Sequence, residues 1–330
     1  MSQDADYQNH EIYYALVGLA DHHLSGDSYD CKKALRALLA CLKIEYFSIS
    51  QNEMNERKAF IYSSIGKMYL CIADSQQKMP LASSALDKTN SVEEKNSTVL
   101  QKAELYLDMA WKICTTINSN TCGDVTNIPL VSHDTGDNAF DTCLNFARLL
   151  KIYEKYEMSL SVLYKGLNLS TNSPRWHLKI ACEIINNEIM CDNLERALEQ
   201  IEYACNFCKD CAIKEELKCC CIMLTIFHSA ISLHLLDYSV VSNKLNEAAN
   251  LFEEFRGSQH VKHTLRALYL LVKTLFMLKQ TSVDNVDPWL KRLQKIVQRL
   301  YALSCDTSQV DNSDTIVWMS PEQLAIITYL

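Results

Sequence analysis

Apolar and polar positions in this chain recur with the period of a helix, not of a strand. Between residues 176 and 210 the apolar residues fall at steps of three and four. They form two runs, WHLKIACEIINNEIM and LERALEQIEYACNFCKD, parted by Cys191-Asp192-Asn193. Such spacing gives each of two short helices one apolar face, and the triplet between them has turn chemistry. Ala197, Ile201 and Ala204 set a small, a large and a small residue on the second helix, with Ile184-Ile185 facing them from the first. Small residues let the two helix axes approach closely. A hairpin this short cannot bury its apolar face alone and must stack on neighbours.

The same arrangement returns along the chain. Tyr14, Val17 and Gly18 are answered by Ala34, Leu38 and Cys41. Tyr62, Ile65, Gly66 and Tyr69 are answered by Ala103, Leu107 and Ala110. A third hairpin sets Phe146, Ala147 and Leu150 against Ser159, Leu163 and Gly166, and the hairpin at 176–208 is the fourth. The fifth pairs 217–236 with Val241, Leu245 and Ala248. The sixth pairs 261–279 with a helix opened by Asp287 as N-cap and Pro288 in its first turn. Small–large–small at steps of four and three is the pattern of tetratricopeptide (TPR) repeats. It predicts an all-α, TPR-like helical-hairpin solenoid, a right-handed superhelix, running as one array over residues 1–330.

Three stretches break the period, about 74–98, 118–136 and 306–315. They are rich in Ser, Asn, Asp, Lys and Thr, carry too little apolar surface to offset ordering entropy, and are expected to be flexible insertions. Near the end, Ser320-Pro321-Glu322-Gln323 reads as a helix start with a cap, a first-turn proline and a capping-box glutamine. The apolar stripe that follows, LAIITYL, runs to the last residue, so the expectation is a piece of a longer repeat protein.

Composition narrows the function. Glycine occurs 7 times and proline 5 times in 330 residues, which favours uninterrupted helices and disfavours glycine-rich phosphate or dinucleotide cradles. The net charge is −8, with no run of five basic residues, so direct nucleic-acid binding is not expected. The first residues, MSQDADYQNHE, do not read as a secretion signal. The apolar windows at 222–236 and 265–278 are broken by His228, His234, Arg266 and Lys273, and no membrane span is expected. The 15 cysteines then read as free thiols of a reducing compartment.

Several groupings could carry chemistry. Cys205-x-x-Cys208-x-x-Cys211 and Cys219-Cys220-Cys221 have metal-ligand spacing, which would suit a helical metalloenzyme. Spacing of three also lines one face of a helix, and free cysteine favours burial; packing is the reading adopted. His133-Asp134 resembles a phosphohydrolase metal dyad but lies in a stretch read as loop, without further His or Asp ligands around it. His260-x-x-His263 lacks a third ligand. None of the common nucleophile, P-loop or zinc-protease motifs occurs. No catalytic, cofactor or metal residue is assigned, and the chain is read as a non-enzyme.

Binding is therefore sought on the first helices of the hairpins. In the repeat register Ser63 and Lys67, Leu144 and Arg148, and Cys182 and Asn186 occupy the inner positions. They lack the lysine–asparagine clamp by which TPR grooves hold a peptide's terminal carboxylates. Lys67, Arg148, Lys151, Lys179 and Asn186 are the candidate contact residues, with Trp176 at a hairpin mouth where an aromatic ring could anchor a partner. On these grounds alone the chain could be a generic scaffold of another assembly, such as a ubiquitin-ligase or signalosome subunit.

Five segments in order, YYALVGLADHH, RKAFIYSSIGKMYL, AELYLDMAWKI, PRWHLKI and VWMSPEQLAIITYL, resemble the TPR subunit family of the cohesin loader. That is the Mau-type partner of the Nipped-B (delangin) HEAT-repeat protein. The resemblance runs from Tyr13 to the last residue and corresponds to the N-terminal half of family members. It departs from them in the insertion after Cys71 and the stretch after Ile117. It implies a nuclear, chromatin-associated, non-catalytic adaptor that wraps an extended N-terminal segment of the large loader subunit. Through that subunit it would support cohesin loading and sister-chromatid cohesion, touching cohesin only indirectly.

Overall fold

A computed structural model describes residues 2–25, 30–44, 50–77, 89–121, 133–210, 215–280 and 286–306. Every regular element among them is an α-helix: α1 (Ser2–Ser25), α2 (Cys31–Cys41), α3 (Gln51–Gln77), α4 (Thr89–Thr121), α5 (His133–Ile152), α6 (Tyr156–Leu169), α7 (Pro174–Met190), α8 (Leu194–Asp210), α9 (Glu215–His234), α10 (Tyr238–Glu254), α11 (Gln259–Gln280) and α12 (Asp287–Asp306). They fall into two compact units, Met1–Asn172 and Ser173–Leu330. In each unit successive helices pack as pairs, α1 on α2, α3 on α4 and α5 on α6, then α7 on α8, α9 on α10 and α11 on α12. The fold is the all-α, TPR-like helical-hairpin solenoid that the periodicity predicts.

The second helices carry the pattern in its plainest form. Ala103, Leu107 and Ala110 on α4, Ala197, Ile201 and Ala204 on α8, and Val241, Leu245 and Ala248 on α10 are all fully buried. So are Ser159, Leu163 and Gly166 on α6. The small members allow close approach, and the large member fills the gap opened between them. Gly66 on α3 shows how close: a Cβ there would lie 2.5 Å from Leu107 Cγ on α4. Any larger residue forces that pair apart.

Three hairpins share one turn. Glu154, Asp192 and Leu236 sit in the left-handed region at φ 58, 60 and 63°. In each, the next amide donates back five residues: Lys155 N to Leu150 O, Asn193 N to Glu188 O and Asp237 N to Ser232 O, all at 2.9 Å. This is the Schellman ending, where glycine is the usual left-handed residue. A glycine-poor chain makes the turn with Glu, Asp and Leu instead, and the strain is greatest at Leu, whose side chain offers no local hydrogen bond in return.

Several expectations need correction. On α1, Tyr13 and Ala20 are buried, whereas Tyr14 and Gly18 face out; a cluster of adjacent apolar residues left the register ambiguous by one position. Parts of the stretches read as insertions are helical, since α3 continues to Gln77, α4 starts at Thr89 and runs to Thr121, and α5 starts at His133. Residues 78–88, 122–132 and 307–315 lie outside the described residues, as do Cys211 and the helix read at 320–330. His133 and Asp134 open α5 and do not lie in a loop. By length and hydropathy, Leu217–His234 could cross a membrane, yet it is 72% buried. It is the core helix of the second unit, with Ile222, Met223 and Ile226 packed among Val241, Leu245, Leu268 and Val272.

Candidate functional site

Of the six candidate contact residues, Lys67 and Arg148 are engaged between helices of the first unit. Lys67 Nζ lies 3.1 Å from Asp141 of α5, and Arg148 Nη2 lies 2.6 Å from Asp74 of α3. Each bridge is seven residues on from the other along both helices, so α3 and α5 run parallel, as first helices of adjacent repeats must. Between them the buried Thr142 hydroxyl donates to Ser63 Oγ at 2.7 Å. Both cations remain about half exposed. Lys151 lies half-buried at the end of α5.

The other three stand on α7. Pro174 follows the cap residue Ser173 and fixes the first turn. Trp176, Lys179 and Asn186 then fall at steps of three and seven along the edge of the buried face of Leu178, Ala181, Ile184 and Ile185, with Trp176 and Lys179 half-buried and Asn186 exposed. Lys179 Nζ lies 4.9 Å from the centre of the half-buried Trp176 ring, a cation–π pair that holds the ring in place. Beside it, the buried His177 stacks on Phe207 of α8 with centroids 4.1 Å apart, and its Nε2 lies 3.1 Å from Tyr203 Oη. The neighbour of Trp176 is thus fixed to α8, while Trp176 itself stays half-buried. The sequence-based candidates on α3, α5 and α7 form a stitched α3–α5 seam and a partly exposed α7 stripe.

A second feature was not anticipated. A cavity of about 210 Å³ opens among α8, α9 and α10, lined by Glu202, Cys205, Asn206, Lys209, Thr225, His228 and Lys244. Lys209 and Lys244 both reach Glu247, at 3.4 and 3.1 Å. His228 Nε2 lies 3.4 Å from Glu202, and its Nδ1 lies 3.2 Å from Ser232 Oγ. Burial, with Lys244 nearby, holds the His228 pKa below the ordinary imidazole value. These residues come from three helices without any shared spacing, so only Cys205, through the cysteine run, gave a signal in the sequence.

Burial pushes the other thiols up: Cys114 to about 11, Cys143 to about 12 and Cys182 to about 12. They are packing residues. Among the described residues, no three His, Cys, Asp or Glu side chains come together as a metal site. His260 and His263 lie half-buried on the first turns of α11.

No family model matches the chain. Among curated proteins it is similar to the MAU2 chromatid cohesion factor homolog of Drosophila mojavensis, 21% identical over 100% of this chain and 44% of that protein. It is also similar to the homologs of Drosophila virilis, 24% identical over 69% of the chain and 34% of the relative, and Nematostella vectensis, 22% over 61% and 34%. The chain thus spans less than half the length of these relatives. Among solved structures, the apo form of RapI, a TPR-like helical repeat protein, aligns at TM-score 0.54. That alignment covers 89% of this chain and 85% of RapI, and at 10% identity it speaks for the fold alone. The ordered segments and the helical-hairpin fold agree with these matches, and the chain is similar, at 21–24% identity, to the MAU2 chromatid cohesion factor homologs.

Proposed function

We propose that this chain is a non-catalytic adaptor of the cohesin-loading machinery. It holds an extended N-terminal segment of a Nipped-B/delangin-type large loader subunit and so supports cohesin loading onto chromatin and sister-chromatid cohesion in the nucleus. The observation that carries this reading is the similarity to chromatid cohesion factors along the whole chain. Physical support comes from the hairpins themselves. Stacked helices offer a long surface of side chains at fixed spacing, which suits an extended peptide. On α7 the stripe of Trp176, Lys179 and Asn186 combines an aromatic anchor, a cation and an amide, the residue types that supply affinity and register in such contacts. No enzymatic step is invoked.

The test is co-expression of this chain with an N-terminal fragment of the large loader subunit. A complex that survives gel filtration in moderate salt is expected, and Trp176→Ala should weaken it by about tenfold or more if the ring is an anchor. Failure of the wild-type pair to co-purify would sink the proposal. Loss of binding on Lys67→Ala alone, with Trp176→Ala silent, would move the contact surface to the α3–α5 seam.

A further inference from the structure

We propose that the exposed face of α12 docks on the phosphate backbone of duplex DNA. The charge of this region departs from that of the whole chain. Residues 259–306 hold eight Lys or Arg against three Asp and no Glu, in a protein whose net charge is −8. No basic run marks the place in the sequence, because apolar residues alternate with the cations and only the helix sorts them. Leu293, Ile296, Val297 and Leu300 are buried in the core of the second unit. Lys291, Lys295 and Arg299 follow at steps of four on the other side, with Arg292 beside them, and all four are exposed.

Little neutralises this charge. Among the described residues, Asp287 is the one carboxylate paired with the face; it holds Lys291 at 2.6 Å, and both partners are mostly exposed. Lys273 of α11 and Arg292 both lie over the half-buried Trp289 ring, 5.9 and 5.3 Å from its centre. Such contacts fix two cations in place without cancelling their charge. Burial, with Arg299 and Arg266 nearby, also holds the His263 pKa below the ordinary imidazole value.

A phosphate backbone fits this face better than a peptide does. Among the described residues of α12 no large apolar side chain is exposed, so the face offers neither the anchors nor the pockets that hold a peptide. Phosphates need only cations, and affinity then comes from counterion release, without readout of base sequence. Steps of four set successive cations about 6 Å apart along the helix axis. The stretch from Lys291 to Arg299 therefore spans several phosphates of a strand, which repeat every ~3.4 Å. Trp289 lies half-buried beneath two cations and presents no open ring for unpaired bases to stack on, which favours a duplex over a single strand.

This inference stands independently of the loader assignment. The full chain is titrated into a fluorescein-labelled duplex of arbitrary sequence at several salt concentrations, and binding is read by anisotropy. A slope of log affinity on log salt of about −3 to −4 is expected for four phosphate contacts. Lys295→Glu with Arg299→Glu should weaken binding by about tenfold or more and reduce the slope by about 2. Lys112→Glu with Lys165→Glu makes the same change in net charge on exposed residues of the first unit and should stay within about twofold of wild type. The proposal is overturned if the wild-type chain does not bind the duplex at low salt, or if the two double variants weaken binding equally. It is also overturned if a single strand or polyglutamate of equal charge binds this face more tightly than the duplex. Should a variant misfold, the wild-type salt slope and the competition still decide.

Discussion

The two units join neighbouring first helices by different means. In the first, α3 and α5 meet through a buried Ser63–Thr142 hydrogen bond together with the Lys67–Asp141 and Asp74–Arg148 bridges. In the second, α9 and α11 meet through Ile222, Ile226, Leu268, Leu271 and Val272. Polar partners specify register, because a shift of one residue leaves them unpaired; apolar surfaces supply stability with less directional demand. One repeat pattern thus carries two kinds of seam. A polar residue at an inner position can be committed to its neighbour, as Lys67 and Arg148 are, or exposed, as Asn186 is on α7.

The largest test of that contrast is in the cores. Ile65→Ala in the first unit and Ile201→Ala in the second each remove a fully buried side chain and should each cost about 2–5 kcal/mol by denaturant titration. A much smaller loss at Ile65 would mean that polar seams, and not apolar packing, hold the first unit. Gly66→Ala should cost about 1–3 kcal/mol, because its Cβ would meet Leu107 Cγ at 2.5 Å across the α3–α4 pair.

Substituting the strained turn runs the other way. Leu236→Gly is expected to stabilise by about 1 kcal/mol, since the position is exposed and its φ is 63°. The same change at Asp192 should gain less, aspartate being better tolerated there. No gain at Leu236 would show that its side chain packs in a way that offsets the strain.

His228 offers a pH test confined to the second unit. Its folded pKa lies below the unfolded value of 6.5, so below about pH 6.5 the unfolded chain takes up the proton more readily. Stability is fully present above that pH and declines as pH falls toward the folded value. Melting curves between pH 7.5 and 5 should show this decline, and His228→Gln should flatten it. The smallest effect is expected at the seam bridges: Lys67→Met or Arg148→Met should each cost below about 1 kcal/mol, shrinking further in high salt. A larger, salt-insensitive loss would mean that the bridges do more than fix register.

Much of the fold was legible because its signal is local. The triads on α4, α6, α8 and α10 need only the sequence of one helix to be read, and all are buried. α1 was less legible: Tyr13, Tyr14, Leu16 and Val17 offer two adjacent faces, and only packing against α2 and α3 selects Tyr13. The helical ends of the stretches around 74–98 and 118–136 escaped because Ser, Asn and Lys carry no periodic apolar signal, although α3 ends and α4 begins within the first and α4 ends and α5 begins within the second.

The sequence by itself determined that the chain is helical, that its helices pair through small–large–small faces, and which family it resembles. All three depend on residues near one another in the chain or on the order of segments. Only the tertiary structure decided that Lys67 and Arg148 face carboxylates 74 residues away, and that a cavity lined by Cys205, Lys209, His228 and Lys244 opens among α8, α9 and α10. Those outcomes depend on how one hairpin is seated on the next. Seating is the sum of many weak, non-directional contacts, and no single spacing in the sequence records it.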